Sequence, residues 1–182
     1  DKENGNLKIT FVNKGDKPVD LFYIRPEAKL VFDVNTTLSD GSKASLKLWR
    51  FEEPFEDDSP DKRFQKLGIS IYGTKGCHEK SFLIPNIEND EYRKRYFGEL
   101  QCENIDILMR EYVDNLNKNL DKNNPVPIIE ETRTDGLNRK HPFITNILFP
   151  WASKIIKGFI DEDRGKDEKE KGKKDESLEK QL

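Results

Sequence analysis

The sequence predicts an α+β fold: an N-terminal antiparallel β-sandwich over residues 1–88, a helical region packed on it over 89–160, and a charged mobile tail from 161 to 182. Three observations lead there. Short runs with apolar residues at alternate positions recur through the first 88 residues, at the spacing of a small sandwich or open barrel. They follow one another without helical crossovers, which argues for antiparallel sheets over an α/β arrangement. After Pro85 the apolar spacing changes from two to three and four, the period of a helix.

The elements follow in order. Leu7, Ile9 and Phe11, then Val19, Leu21 and Tyr23, alternate with polar residues on either side of the turn N-K-G-D-K-P, which reads as a hairpin. K-L-V-F-D-V is the next strand. Past the turn S-D-G-S, the run A-S-L-K-L-W-R-F puts Ala44, Leu46 and Leu48 on one face and Trp49 and Phe51 on the other, so both faces are partly covered. The stretch F-E-E-P-F-E-D-D-S-P-D-K-R has two prolines and no period and reads as a surface loop. L-G-I-S-I-Y-G and K-S-F-L-I-P, separated by the turn T-K-G-C-H-E, complete the strands.

Asn89 and Asp90 can cap a helix with the stripe Tyr92, Tyr96 and Leu100, and Ile105, Leu108, Tyr112, Leu116 and Leu120 mark a second helix from about Asn104 to Leu120. P-V-P-I-I-E-E-T reads as an extended edge segment, where proline is tolerated. Pro150 suits the first turn of a third helix, because its missing N–H is not needed there. In that amphipathic helix, 150–160, Trp151, Ile155 and Phe159 form one row and Ala152, Ile156 and Ile160 the next, with Lys154 and Lys157 facing away. The residues beyond carry nine acids and seven bases and no apolar face, so they are expected to add nothing to the fold.

Charge narrows the function. The 182-residue chain has a net charge of −3, and the mixed signs of its body lack the basic footprint of a nucleic-acid binder. No stretch of 18 residues is free of charge and apolar throughout, so no simple helix spans a bilayer. Three signs point to secretion or the cell surface: a start at Asp1 resembling a cleaved mature terminus, two cysteines, and the glycosylation sequon Asn35-Thr36-Thr37. On that reading Asn35 carries a glycan and Cys77 and Cys102 form a disulfide. The bridge would staple the strands to the following helices and add about 3–4 kcal/mol by loop entropy; two unpaired thiols are the alternative.

Few residues point to chemistry. Cys77 and His78 are adjacent, and neighbours in an extended segment usually point apart, whereas a nucleophile and its base must share a hydrogen bond. Glu52, Glu53, Glu56, Asp57, Asp58 and Asp61 lack the spacing of a calcium loop, and two histidines without a C-x-x-C do not make a zinc site. Phosphate-loop, dinucleotide-binding and nucleophile-elbow motifs are missing. The expectation is a non-catalytic protein, without metal or cofactor, that binds another protein. Trp151, Ile155 and Phe159 are expected as buried anchors that close the core, and otherwise as contacts for a partner or a membrane surface. The alternatives are an intracellular adaptor, an enzyme whose residues converge only in the fold, and a membrane-surface protein using helix 150–160 for peripheral contact.

Overall fold

In the computed structural model of the chain, the described residues are 7–11, 19–23, 27–57, 65–74, 76–116, 121–130 and 136–179. The alternating runs form three antiparallel hairpins. β1 (Leu7–Phe11) pairs with β2 (Val19–Tyr23), Ile9 opposite Leu21. β3 (Lys29–Thr37) pairs with β4 (Lys43–Arg50) across a turn in which Gly41 takes φ +87°, a conformation glycine adopts without a Cβ clash. β5 (Gly68–Tyr72) pairs with β6 (Cys77–Ser81). The last strand begins earlier than K-S-F-L-I-P suggests, because the Gly73 amide bonds the Gly76 carbonyl and closes the hairpin there.

The helix expected from Asn89 with the stripe Tyr92, Tyr96 and Leu100 is not formed. Asp90 does cap, accepting from the Tyr92 amide, but what it caps is one 3₁₀ turn, Glu91–Arg95, after a single α turn, α1 (Pro85–Glu88). Tyr96–Gln101 is strand β7. Gly98 disfavours a helix, and alternation within Y-F-G-E-L-Q sends Tyr96, Gly98 and Leu100 to one face of the sheet. A Cβ at Gly98 would lie 2.6 Å from the Lys47 carbonyl oxygen and 2.9 Å from Ile69 Cδ1, so only glycine lets the neighbouring strands close up.

The strand order is β3-β4-β7-β5-β6, with β7 antiparallel to β4 and parallel to β5. The α+β class therefore stands. The sheet, however, is open and mixed rather than wholly antiparallel, and among the described residues β1 and β2 pair only with each other, so no sandwich is confirmed. Because β7 lies at the centre, the sheet draws strands from both sides of residue 88. Its inner face is Leu46, Leu48, Ile69, Ile71, Tyr96 and Leu100, all fully buried. On the outer face Trp49 stacks on Phe97 at 5.3 Å and Phe51 on Phe55 at 4.8 Å, an apolar cover at one end.

Helix α2 (Asn104–Asn115) matches the second predicted helix over its described part. It buries Ile105 but leaves Val113 and Leu116 exposed; Leu120 lies outside the described residues. Of the extended segment, Ile129 bridges Leu137 and Ile128 is buried. The C-terminal helix differs most from expectation. It begins at Pro142 rather than Pro150, passes through one π turn (Ile144–Leu148), and runs on as α3 (Phe149–Glu179). Proline 142 holds the N1 position where its missing N–H costs nothing. Pro150 falls inside the helix, where its ring would meet the carbonyl four residues back. The π turn, closed by the Phe149 amide on the Ile144 carbonyl, is the local widening that carries the chain past it.

The row that enters the core is Ala152, Ile156 and Ile160, while Trp151, Ile155 and Phe159 lie half-buried beside it, Phe159 edge-on to Phe32 of β3 at 5.9 Å. The predicted anchors are therefore one residue out of phase. The helix turns its smaller row, Ala152, Ile156 and Ile160, inward. The charged tail also departs from expectation. Asp163 is buried, accepting from Arg50 Nε at 2.6 Å and from the Tyr96 hydroxyl at 2.7 Å. Arg164 pairs with Asp90 and Asp161, and Arg95 lies 3.6 Å from Asp167. The start of the segment after Asp161 is thus tied through Asp163 to the sheet and through Arg164 and Asp167 to Asp90 and the 3₁₀ turn, a contribution that apolar periodicity does not reveal.

Candidate functional site

Cys77 and Cys102 are not joined. Cys77 lies opposite Tyr72 of β5, and the Cys102 amide, just past β7, donates to the Tyr72 carbonyl. The two therefore flank β5 from either side, two strand spacings or about 9–10 Å apart, beyond the roughly 7 Å that a bridge tolerates. Cys77 is exposed with its thiol toward the Glu79 carbonyl, and Cys102 is buried. Burial pushes the Cys102 thiol up to about 11 and raises that of Cys77 as well. Iodoacetamide at mildly alkaline pH is expected to add one adduct to the native protein, at Cys77, and two after denaturation. Intact mass with peptide mapping reads the result, and native labelling of Cys102 would contradict this arrangement.

His78 does not serve Cys77. Its Nε2 lies 2.9 Å from Asp106 Oδ1 on α2, and Asp106 Oδ2 accepts from the Thr74 amide at 2.6 Å. Burial opposes the charge on Asp106, but the Thr74 amide and His78 outweigh it and hold the carboxyl below its ordinary range. The pair ties α2 to the β5–β6 turn. In the acidic loop, Asp57 accepts from the Leu67 amide and Glu56 pairs with Lys94, while Asp58 and Asp61 lie outside the described residues. Asn35 is exposed on edge strand β3, opposite Ser45 on the polar part of the outer face, where an attached glycan would meet solvent.

The site with the most built character was not visible in the sequence. Leu83, Ile84 and Pro85 on one side and Ile144, Phe149 and Pro150 on the other line an open groove of about 680 Å³. That size falls within the range of ligand pockets. Two uncommon backbone conformations shape it. Leu83 sits at φ +72°, a region that costs a non-glycine residue about 1–3 kcal/mol, and it is held by its amide on Ser81 Oγ at 3.1 Å and by Phe82 N–H on Glu88. The other is the π turn, which carries Ile144 and Thr145 into the opposite wall.

Arg139 fixes one rim. Its guanidinium forks onto the Glu79 carboxylate, donates to the Leu137 carbonyl at 2.7 Å, and lies 4.6 Å from the centre of the Phe149 ring. Glu79 also accepts from the Leu137 amide at 2.8 Å. These contacts satisfy the rim internally and leave the groove an apolar surface between polar edges, suited to binding apolar groups. No segment announces it, since its walls are about sixty residues apart and each reads alone as an ordinary core approach. No helix among the described residues is long and apolar enough to cross a membrane. No family model, curated protein or solved structure matches this chain.

Proposed function

We propose that the protein is a non-catalytic binding module, secreted or at the cell surface, that recognises another protein through the groove between Leu83–Pro85 and Ile144–Pro150. The groove carries the reading: an apolar cleft with a non-glycine residue held at positive φ in one wall is a feature that core packing alone does not require. The partner offers two or three adjacent apolar side chains with polar neighbours that meet Glu88, Asn89 and Thr145 at the rim. Secretion rests on the sequon at Asn35, whose exposure suits modification. The membrane-surface alternative needs Trp151, Ile155 and Phe159 outward, and all three rest against the core.

Ile84 is half-buried at the margin of the core and Asn89 exposed, so Ile84→Glu and Asn89→Trp alter the groove without emptying a fully buried position. Both are expected to keep the parent melting temperature within a few degrees and to lose at least tenfold in affinity for the protein that the parent retains from its native source. A partner that binds the parent and both variants equally would place recognition elsewhere.

A further inference from the structure

His141 is fully buried at the head of the groove's helical wall, with both ring nitrogens engaged. Nδ1 accepts from the Phe143 amide at 3.2 Å, and Nε2 lies 2.9 Å from Asn124 Oδ1. The orientation of the Asn124 amide is set by its nitrogen, which donates to the Leu108 carbonyl of α2 at 2.8 Å. An amide donor on one side and a carbonyl oxygen on the other admit one tautomer: Nδ1 bare, Nε2 protonated. The His141 carbonyl accepts the Thr145 amide, so side chain and backbone together cap the first turn, and Ile144 and Thr145 of that turn line the groove.

We infer that the groove carries an acid-sensitive latch: His141 fastens the helical wall to α2 through Asn124 only while its ring is neutral. Protonation at Nδ1 sets one N–H against another at Phe143 and places a charge where no solvent reaches, so the charged form is accommodated by releasing the turn. Burial lowers the His141 pKa from its ordinary value. Among the described residues no carboxylate is hydrogen-bonded to the ring to retain the charge. On the adjoining elements the titratable groups are Glu111, Tyr112 and Asp121, which line a polar cavity with Asn124, and Arg139 and Lys140 just before the ring, Arg139 being paired with Glu79. The sign follows: the open form takes up the proton more readily, so the latch is complete above about pH 6.5 and weakens as pH falls below it.

This inference rests on the docking reading only for its consequence, loss of the partner in mild acid. It is tested on the free, full-length protein by amide hydrogen exchange at about pH 7.5 and 5.5, corrected for intrinsic rates. Protection over 142–149 is expected to fall roughly tenfold, the change in the open fraction for a ring that stays neutral when closed and titrates near 6.5 when open. Strands β4 and β7 should keep theirs. In His141→Asn, whose side-chain oxygen can cap without titrating, the fall should vanish. Unchanged protection at 142–149, an equal loss in all elements, or the same loss in His141→Asn would overturn the latch. Should that variant fail to fold, nitrogen NMR of the parent ring decides: the Nε2–H tautomer persisting below pH 6.5 is expected, and an Nδ1–H tautomer or ordinary titration within the folded protein refutes it. Failure here leaves the partner test of the groove standing, and failure of that test leaves the exchange result intact.

Discussion

Asp163→Ala is expected to lose about 2–4 kcal/mol of stability, the range for removing one member of a buried, hydrogen-bonded charge pair. The aspartate is 3% exposed and serves two donors from the sheet, Arg50 Nε and the Tyr96 hydroxyl. Without it Tyr96 keeps the Phe159 carbonyl, 3.0 Å away, and Arg50, itself part-exposed, can reach solvent, which holds the cost below that of a wholly buried ion. Asp163→Asn retains a hydrogen-bond acceptor and should lose less. Urea denaturation of the three proteins measures the order, and a parent-like midpoint for the alanine variant would mean that the tail contributes nothing after all. A chain ending at Ile160 loses the same contacts together with those of Arg164 and Asp167, so it should be at least as unstable. Acid supplies a second measurement. Burial opposes the Asp163 charge, yet Arg50 and Tyr96 outweigh it and lower the carboxyl's pKa. A depressed acid gives stability that is present above its unfolded pKa of about 3.9 and is lost as pH falls through the folded value. The parent should therefore shed this contribution below about pH 4, and Asp163→Asn should not.

Strands were legible because two-residue alternation reports a half-buried sheet directly: Ile9 opposite Leu21, Leu46 and Leu48 inward, Ile69 and Ile71 inward. The central strand was not. Tyr92, Tyr96 and Leu100 are four apart by coincidence, and Tyr96 and Leu100 share a face in a strand as well as in a helix, so the spacing alone could not separate the two. Gly98, two residues from each, was the available signal. The cap at Asp90 was correctly located because an Asp side chain and a following amide are a local matter, whereas what followed was decided by β4 and β5 on either side. Asp163 was lost to composition, since one acid among nine in a tail carries no mark of burial. The groove was hidden for a related reason. Its walls meet only in the fold, and although Pro150 accounts for the π turn before it, no residue type demands the positive φ of Leu83.

Ile156→Ala is expected to cost about 3–5 kcal/mol, and Trp151→Ala only about 1–2. The larger side chain has the smaller effect because of where the helix turns its faces. Ile156 is 0% exposed between Ala152 and Ile160 on the inward row, so truncation leaves a cavity that a closely packed sheet cannot collapse to fill. Trp151 lies half-buried at the margin, where solvent already meets part of the ring and can occupy what alanine vacates. Had Trp151, Ile155 and Phe159 been the inward row, the order would reverse. Guanidinium denaturation of both variants beside the parent decides between the two phases. Liposome co-sedimentation of the Trp151 variant adds a further measurement: a larger midpoint shift in Ile156→Ala than in Trp151→Ala, with no lipid binding to lose in Trp151→Ala, places the helix on the sheet, while a Trp151→Ala protein that keeps its midpoint and loses lipid binding would assign that row to a membrane surface.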